Sequence, residues 1–264
     1  MVTAAHQCDL SGAGVLVTRA AHQAEPLCNL ITRMGGVPVC FPAVAIGGPE
    51  SPERLEEQLA ACSEWALLIF VSPNAVEWGL KLFPQGLPQG AAVAAVGART
   101  AELLQQSGIE VAIVPPGRSD SEALLAMAAL QQVSAKRVAI VRGNGGRSLL
   151  GDTLKARGAE VEYVEVYRRS QPQSDATALV AAWPQQVSLV TVTSNDLLDN
   201  LFSLLGTAGA TLLQSTPMVV VSERMQRHAQ ALGCKQLLLA GGADLGSLQQ
   251  AICEWRDKYD GSPE

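Results

Sequence analysis

The sequence predicts an α/β protein of two similar domains. Each is expected to be a parallel sheet flanked by helices, with the two joined by a two-stranded antiparallel β linker and one domain discontinuous in the chain. Three observations predict it. Short apolar runs alternate with helical stretches along the whole chain, as parallel sheets covered on both faces require. One strand–turn–helix pattern recurs at a nearly constant offset. Two β-like segments, Val37 to Ile46 and Val161 to Arg168, interrupt the alternation.

In chain order, Val15 to Arg19 reads as a strand and Ala21 to Met34 as the helix after it, stopped by Gly35-Gly36. Pro38 and Pro42 demote the run from Val37 to Ile46 to an edge or linker strand, because proline cannot donate to a ladder. A helix over Pro52 to Cys62 precedes a strand over Leu67 to Val71 and a helix over Asn74 to Phe83. Strands over Ala92 to Val96, Glu110 to Val114 and Arg137 to Val141 lead into helices over Arg99 to Ser107, Ser121 to Leu130 and Ser148 to Arg157. Further strands fall near Ser188 to Thr193, Met218 to Val221 and Gln236 to Leu239, each followed by a helical pattern.

The repeat aligns Val15-Leu16-Val17-Thr18-Arg19 with Val138-Ala139-Ile140-Val141-Arg142, and Val71-Ser72-Pro73-Asn74 with Thr193-Ser194-Asn195. It also aligns Val96-Gly97-Ala98-Arg99-Thr100 with Val221-Ser222-Glu223-Arg224-Met225; the offsets are 123, 122 and 125 residues. The glycines Gly35 and Gly158, and Gly108 and Gly233, end the matching helices. The first unit resembles the one that closes the middle block, so the start of the chain is expected to complete a fold begun after residue 172. The expected domains are residues 12–38 with 172–264, and residues 48–162. Segments 39–47 and 163–171 would cross between them as a hinge.

With 48% hydrophobic and 17% charged residues the chain has enough apolar material for such cores, and with only 4% aromatics they must be built of Leu, Val, Ile and Ala. A net charge of −6 without a Lys/Arg cluster argues against nucleic-acid binding but not against an anionic substrate, since a cleft on an acidic protein is often locally positive. The cysteines (Cys8, Cys28, Cys40, Cys62, Cys234, Cys253) and histidines (His6, His22, His228) show no metal-ligand spacing, so no metal is expected. The apolar runs are too short to span a bilayer and the first residues lack a signal-peptide pattern. With thiols read as unpaired, the expectation is a cytoplasmic protein without membrane contact. In the absence of heptads it is expected to be a monomer.

Three turns share one geometry: Ser72-Pro73-Asn74, Gly97-Ala98-Arg99-Thr100 and Ser194-Asn195 each follow a strand and open a helix. In parallel sheets ligands bind beyond the carboxyl ends of the strands, where helix N-termini offer free N–H groups to anions. Ser72, Ser194 and Ser222 serve equally well as helix caps. Arg19 and Arg142 end equivalent strands, where a guanidinium either forks a carboxylate or pairs with a neighbouring acid. Arg142-Gly143-Asn144-Gly145-Gly146-Arg147-Ser148 lacks the lysine and spacing of a nucleotide loop and suits an anion-facing turn. Strict alternation would point Tyr163, Glu165 and Tyr167 to one face. The chain has no nucleophile elbow, metalloprotease motif or obvious acid pair, so its chemistry is expected to rest on positioning and charge stabilisation, without a cofactor.

Val15 to Arg19, Gly35 to Pro42, Leu68 to Val76, Val96 to Ala101, Val141-Arg142-Gly143, Tyr167-Arg168 and Thr193-Ser194-Asn195 together resemble uroporphyrinogen-III synthases, in order and spacing, over residues 12 to 256. The resemblance implies two α/β domains with the active site between them. The implied substrate is hydroxymethylbilane, a linear tetrapyrrole with eight carboxylates. Loss of water gives an azafulvene; attack by the substituted carbon of the last pyrrole gives a spiro intermediate; fragmentation and reclosure invert that ring. It further implies Tyr167 as the acid for the leaving hydroxyl, Thr100 as its neighbour, and Arg19, Ser72, Asn74, Gly97, Arg142, Gly143, Ser194, Asn195 and Ser222 as carboxylate contacts. Met225 stands where some relatives carry threonine and Val71 where threonine is common, which shifts the weight to backbone binding.

Overall fold

The protein is seen in a computed structural model that describes residues 8–83, 86–118 and 120–260. Ten strands follow in chain order: β1 (Gly14–Val17), β2 (Val37–Cys40), β3 (Ala45–Gly47), β4 (Leu67–Phe70), β5 (Ala92–Ala95), β6 (Arg137–Gly143), β7 (Glu160–Ser170), β8 (Leu189–Thr191), β9 (Met218–Val220) and β10 (Leu237–Leu239). The helices are α1 (Ala21–Arg33), α2 (Pro52–Ala60), α3 (Pro73–Gly79), α4 (Ala98–Gln106), α5 (Ser121–Leu125), α6 (Leu149–Ala156), α7 (Thr177–Gln186), α8 (Asn195–Ser215), α9 (Glu223–Ala231) and α10 (Leu245–Asp260).

The chain forms two compact α/β units, one of residues up to Ala45 together with those from Ser170 onward, the other Ile46–Arg169. The first sheet has the order β10-β9-β8-β1-β2 and is parallel throughout. The second has the order β3-β7-β6-β4-β5, with β4, β5, β6 and β7 paired in parallel. Segment 39–47 is thus divided: β2 is an edge of the first sheet, with Pro38 opposite Val15, while β3 lies beside β7.

Superposing the repeat turns one strand order into the other. β1 corresponds to β6, β2 to β7, β8 to β4 and β9 to β5. The counterpart of β10 is the stretch expected as a strand over Glu110 to Val114; there only Ile113 bridges Ala94, so that expectation is corrected to a single bridge. Two prolines, Pro115 and Pro116, follow immediately and leave no donors with which to extend the ladder. Two expected helices are shorter than predicted. The stretch from Asn74 closes as α3 and a 3-10 turn at Leu80–Leu82, and the stretch from Ser121 as α5 and a 3-10 turn at Ala128–Leu130.

Helix ends carry the repeat most faithfully. Gly35, with φ of 73°, closes α1 through Gly35 N–H to Thr32 O and Gly36 N–H to Ile31 O, both 3.0 Å. Gly158, with φ of 84°, closes α6 in the same way through Lys155 O and Leu154 O, at 2.9 and 3.1 Å. Only glycine adopts this left-handed cap without a Cβ penalty. The same pair of bonds ends α4 and α9.

Each unit buries its own cores on the two faces of its sheet. In the first, Leu16, Trp183, Val190, Leu201 and Met218 lie on one face and Val15, Val17, Leu27, Ile31 and Ile252 on the other. Thr18 Oγ1 donates to Thr191 O at 2.8 Å and Thr191 Oγ1 to Leu16 O at 2.9 Å, so these buried hydroxyls are satisfied between β1 and β8. The second unit sets Leu68, Phe70, Leu104, Val164 and Tyr167 on one face and Ile69, Leu124, Ile140 and Leu154 on the other. Among the described residues, no helix is long and apolar enough to cross a membrane and no group of three or more His, Cys, Asp or Glu is placed to hold a metal.

The reading of unpaired thiols is corrected for two cysteines: Cys8 and Cys253 form a disulfide with Cα atoms 5.5 Å apart. They lie 245 residues apart in sequence and meet because the first unit is assembled from both ends of the chain. The expectation of a cytoplasmic chain loses the support it drew from unpaired thiols.

Candidate active site

A β-bulge sets the centre of the site. β6 and β7 run in register from Arg137↔Glu160 to Arg142↔Glu165; then Gly143 faces Tyr167, leaving Val166 as the extra residue. The bulge breaks the alternation expected to place Tyr163, Glu165 and Tyr167 on one face. Tyr163 stays with the Ile140 and Leu150 side of the sheet, whereas Tyr167 turns to the face of Val164, Val166 and Phe70. Tyr167 is 1% exposed. A Cβ at Gly143 would lie 2.5 Å from its ring, so the ring crosses the end of β6 where glycine leaves room. It thereby spans two strand spacings, about 10 Å, and its Oη reaches 3.3 Å from Ser72 Oγ at the end of β4.

The Tyr167 hydroxyl has a second partner that sequence reasoning did not single out. Arg169 Nη2 donates to Tyr167 Oη at 3.2 Å. Asn144 holds this stretch in place: its side chain accepts from Arg169 N–H at 2.7 Å and donates to Arg169 O at 3.3 Å, and its own N–H donates to Tyr167 O at 3.0 Å. The signal for Arg169 was its place two residues beyond Tyr167 on a strand, hence on the same side; the Asn144 clamp has no sequence signature beyond the glycine-dense turn.

A cavity of about 200 Å³ opens here, lined by Arg142, Gly143, Asn144, Arg147, Tyr163, Tyr167 and Arg169, among others. Its lining contains three arginines and no acid. Arg142 Nε donates to Gly143 O at 3.1 Å and its guanidinium lies 4.9 Å from the centre of the Tyr163 ring. Arg147 pairs at the surface with Glu122, whose carboxyl the Arg147 hydrogen bond holds below the usual carboxylate range. That pair is exposed and solvent-screened, so its guanidinium remains available to a better partner.

Of the other expected residues in this unit, Ser72 caps α3, accepting from Ala75 N–H at 3.1 Å. Gly97 occupies the cap position of α4. Asn74 and Thr100 are buried, 7% and 4% exposed, in α3 and α4, and neither lines the cavity.

Within the first unit, Arg19, Ser194, Asn195 and Ser222 all follow carboxyl ends of strands, of β1, β8 and β9. Ser194 caps α8 through Leu197 N–H at 3.2 Å and Ser222 caps α9 through Met225 N–H at 3.3 Å. Arg19 donates to Ala243 O, and its Nε is buried without a hydrogen-bond partner, as is Asn195 Oδ1. Burial lowers the Arg19 pKa from its ordinary value, with Asp244 acting the other way. An orphaned donor and an orphaned acceptor beyond neighbouring strands suit a polar ligand.

A family model described as uroporphyrinogen-III synthase HemD matches residues 25–250. The uroporphyrinogen-III synthase of Escherichia coli (strain K12) is 35% identical over 243 residues, covering 90% of this chain and 99% of that one. The enzyme of the same name from Salmonella typhimurium is 35% identical over 245 residues, covering 90% and 99%. A crystal structure of a mutant uroporphyrinogen III synthase from the extremely thermophilic bacterium Thermus thermophilus shares the fold with a TM-score of 0.64 at 20% identity, covering 93% of this chain and 100% of that one. By the extent of the family match and by these relatives, the chain belongs to the uroporphyrinogen-III synthase family.

Proposed function

We propose that this chain converts hydroxymethylbilane to uroporphyrinogen III, the reaction its family is named for, as a cofactor-independent lyase with Tyr167 as the acid. The observation that carries the role of Tyr167 is that it lines a cavity with three arginines and no acid while its hydroxyl is held between Ser72 and Arg169. Such a cavity favours a substrate rich in carboxylates although the whole chain is acidic.

In this reading the phenol gives its proton to the leaving hydroxyl. The C–O bond breaks, water departs, and the pyrrole nitrogen supplies the electron pair that turns the terminal ring into an azafulvene. The last pyrrole attacks through its substituted carbon, and the spiro intermediate fragments and recloses inverted. The phenolate recovers a proton as the product regains its aromatic rings. The substrate generates its own electrophile, so neither a nucleophile nor a resident cofactor is required. Arg142, Gly143, Ser72, Asn74, Gly97 and Thr100 are proposed carboxylate contacts or supports in this unit, and Arg19, Ser194, Asn195 and Ser222 in the other.

The test supplies fresh hydroxymethylbilane, oxidises the products and separates uroporphyrin isomers. Spontaneous closure yields isomer I, so isomer III scaling with protein supports the reaction, and isomer I alone from folded protein removes it. Tyr167→Phe is expected to lower kcat by about 100-fold, the scale of a general acid. Full activity of that variant would remove the role of the phenol.

A further inference from the structure

We propose that Arg169 is a positioning residue that acts through Tyr167, aiming the phenolic proton into the cavity and meeting the charge left when it goes. The inference rests on the reading of Tyr167 as the acid.

A guanidinium only donates hydrogen bonds, so its Nη2, 3.2 Å from Tyr167 Oη, occupies an acceptor site on that oxygen. The phenolic hydrogen must therefore point elsewhere, toward Ser72 Oγ at 3.3 Å or toward a ligand in the cavity. Ser72 Oγ already accepts from Ala75 N–H at 3.1 Å, which leaves it one further acceptor site. When Tyr167 gives up its proton, the O–H bond breaks, the electron pair stays on Oη, and the new phenolate faces a cation already in contact. Preorganised charge of this kind acts on the transition state without rearrangement.

Two features mark Arg169, the first of them shared with Arg142. Among the described residues it makes no ion pair, whereas Arg147 is matched by Glu122 and Arg137 by Glu64 and Glu162. Its backbone is fixed by both polar atoms of the Asn144 side chain, at 2.7 and 3.3 Å. An arginine meant only to gather carboxylates would not need its main chain fastened to the loop that passes under the tyrosine.

The experiment measures isomer III formation at varied hydroxymethylbilane concentration for wild type, R169M, R169K, Y167F and the double variant Y167F/R169M. The expected result is a kcat lowered about 10- to 100-fold in R169M, the scale of a hydrogen bond to a charged group, with KM nearly unchanged and partial recovery in R169K. In the Y167F background, R169M should change kcat by less than about twofold, because the partner it acts through is gone. A raised KM with retained kcat would make Arg169 a carboxylate-binding residue and overturn the proposal. An undiminished effect in the Y167F background would overturn it too. A fully active Y167F would instead remove the reading of Tyr167 on which it rests. Should R169M fail to fold, R169Q, which keeps one donating group without the charge, carries the same comparison.

Discussion

A methyl group at position 143 would stand 2.5 Å from the Tyr167 ring, and only movement of the ring relieves that contact. Gly143→Ala is therefore expected to leave a folded protein whose kcat falls toward that of Tyr167→Phe. Combined with Tyr167→Phe it should add little, which steady-state kinetics of the single and double variants would show. A second prediction concerns the thiols. Cys28 and Cys40 Sγ lie 3.1 Å apart, yet burial first and the Cys40 contact second push the Cys28 thiol up to about 12. Burial pushes Cys234 up to about 11. The thiolate is the reactive form, so alkylation of native protein at neutral pH should label exposed Cys40 well before Cys28 and Cys234, as peptide mass mapping would report. At this scale the sequence showed Tyr167, Ser72 and Gly143 as separate candidates. It did not show that they meet, because that depends on one extra residue in β7, and a bulge leaves no mark in composition or periodicity.

Elements built on local rules were legible, and those decided by an edge were not. The four glycine-closed helices and the serine caps of α3, α8 and α9 follow from residues within a turn of one another. The strand expected at Glu110 to Val114 failed because pairing depends on what lies beside an edge and on the prolines after it. Local chemistry also yields a pH prediction. Asp120 caps α5 by accepting from Ala123 N–H at 2.8 Å, and that bond, assisted by Arg118, holds its carboxyl below the ordinary value. A depressed folded pKa means its contribution is complete above the unfolded value and lost as pH falls through the folded one. Amide exchange in α5, corrected for intrinsic rates, should thus accelerate below about pH 4. Asp120→Asn, which keeps a cap without the charge, should remove that acceleration. In β1, Gly14→Ala would drive a Cβ to 1.6 Å from the Gln186 carbonyl oxygen. The obstacle is backbone rather than the end of a flexible side chain, so urea unfolding should show a loss of about 3 kcal/mol, the upper end of ordinary overpacking.

At the scale of the molecule the two units share a strand order, but the tyrosine that crosses a strand end belongs to the Ile46–Arg169 unit. Where the Ile46–Arg169 unit has Arg142-Gly143 at the end of β6, the other has Arg19-Ala20 at the end of β1. An alanine there cannot admit a ring across the strand, so the repeat kept the arginine and the serine caps while only one copy holds the tyrosine. The repeat itself was the most readable feature of the chain, since it needs only a constant offset. Among the described residues each buried cluster is made of residues of one unit, with Leu55 to Tyr167 filling one pair of clusters. The segment Ile46–Arg169 made alone is accordingly expected to unfold in one cooperative transition by calorimetry, while residues up to Ala45 without those from Ser170 should show none.

That nesting fixes a schedule for synthesis. Leu16 leaves the ribosome early, but its register partner Val190 emerges only after the whole middle unit has been made. The buried face of α1 waits longer still, for α10, its neighbour at the far end of the chain. Meanwhile the middle unit has all it needs to close. The nascent chain should therefore fold from its centre outward, leaving its first strand sheltered on one edge only, by β2, until translation is nearly complete. Slowing the ribosome late in the message would prolong the exposure of that strand while sparing the part that carries Tyr167.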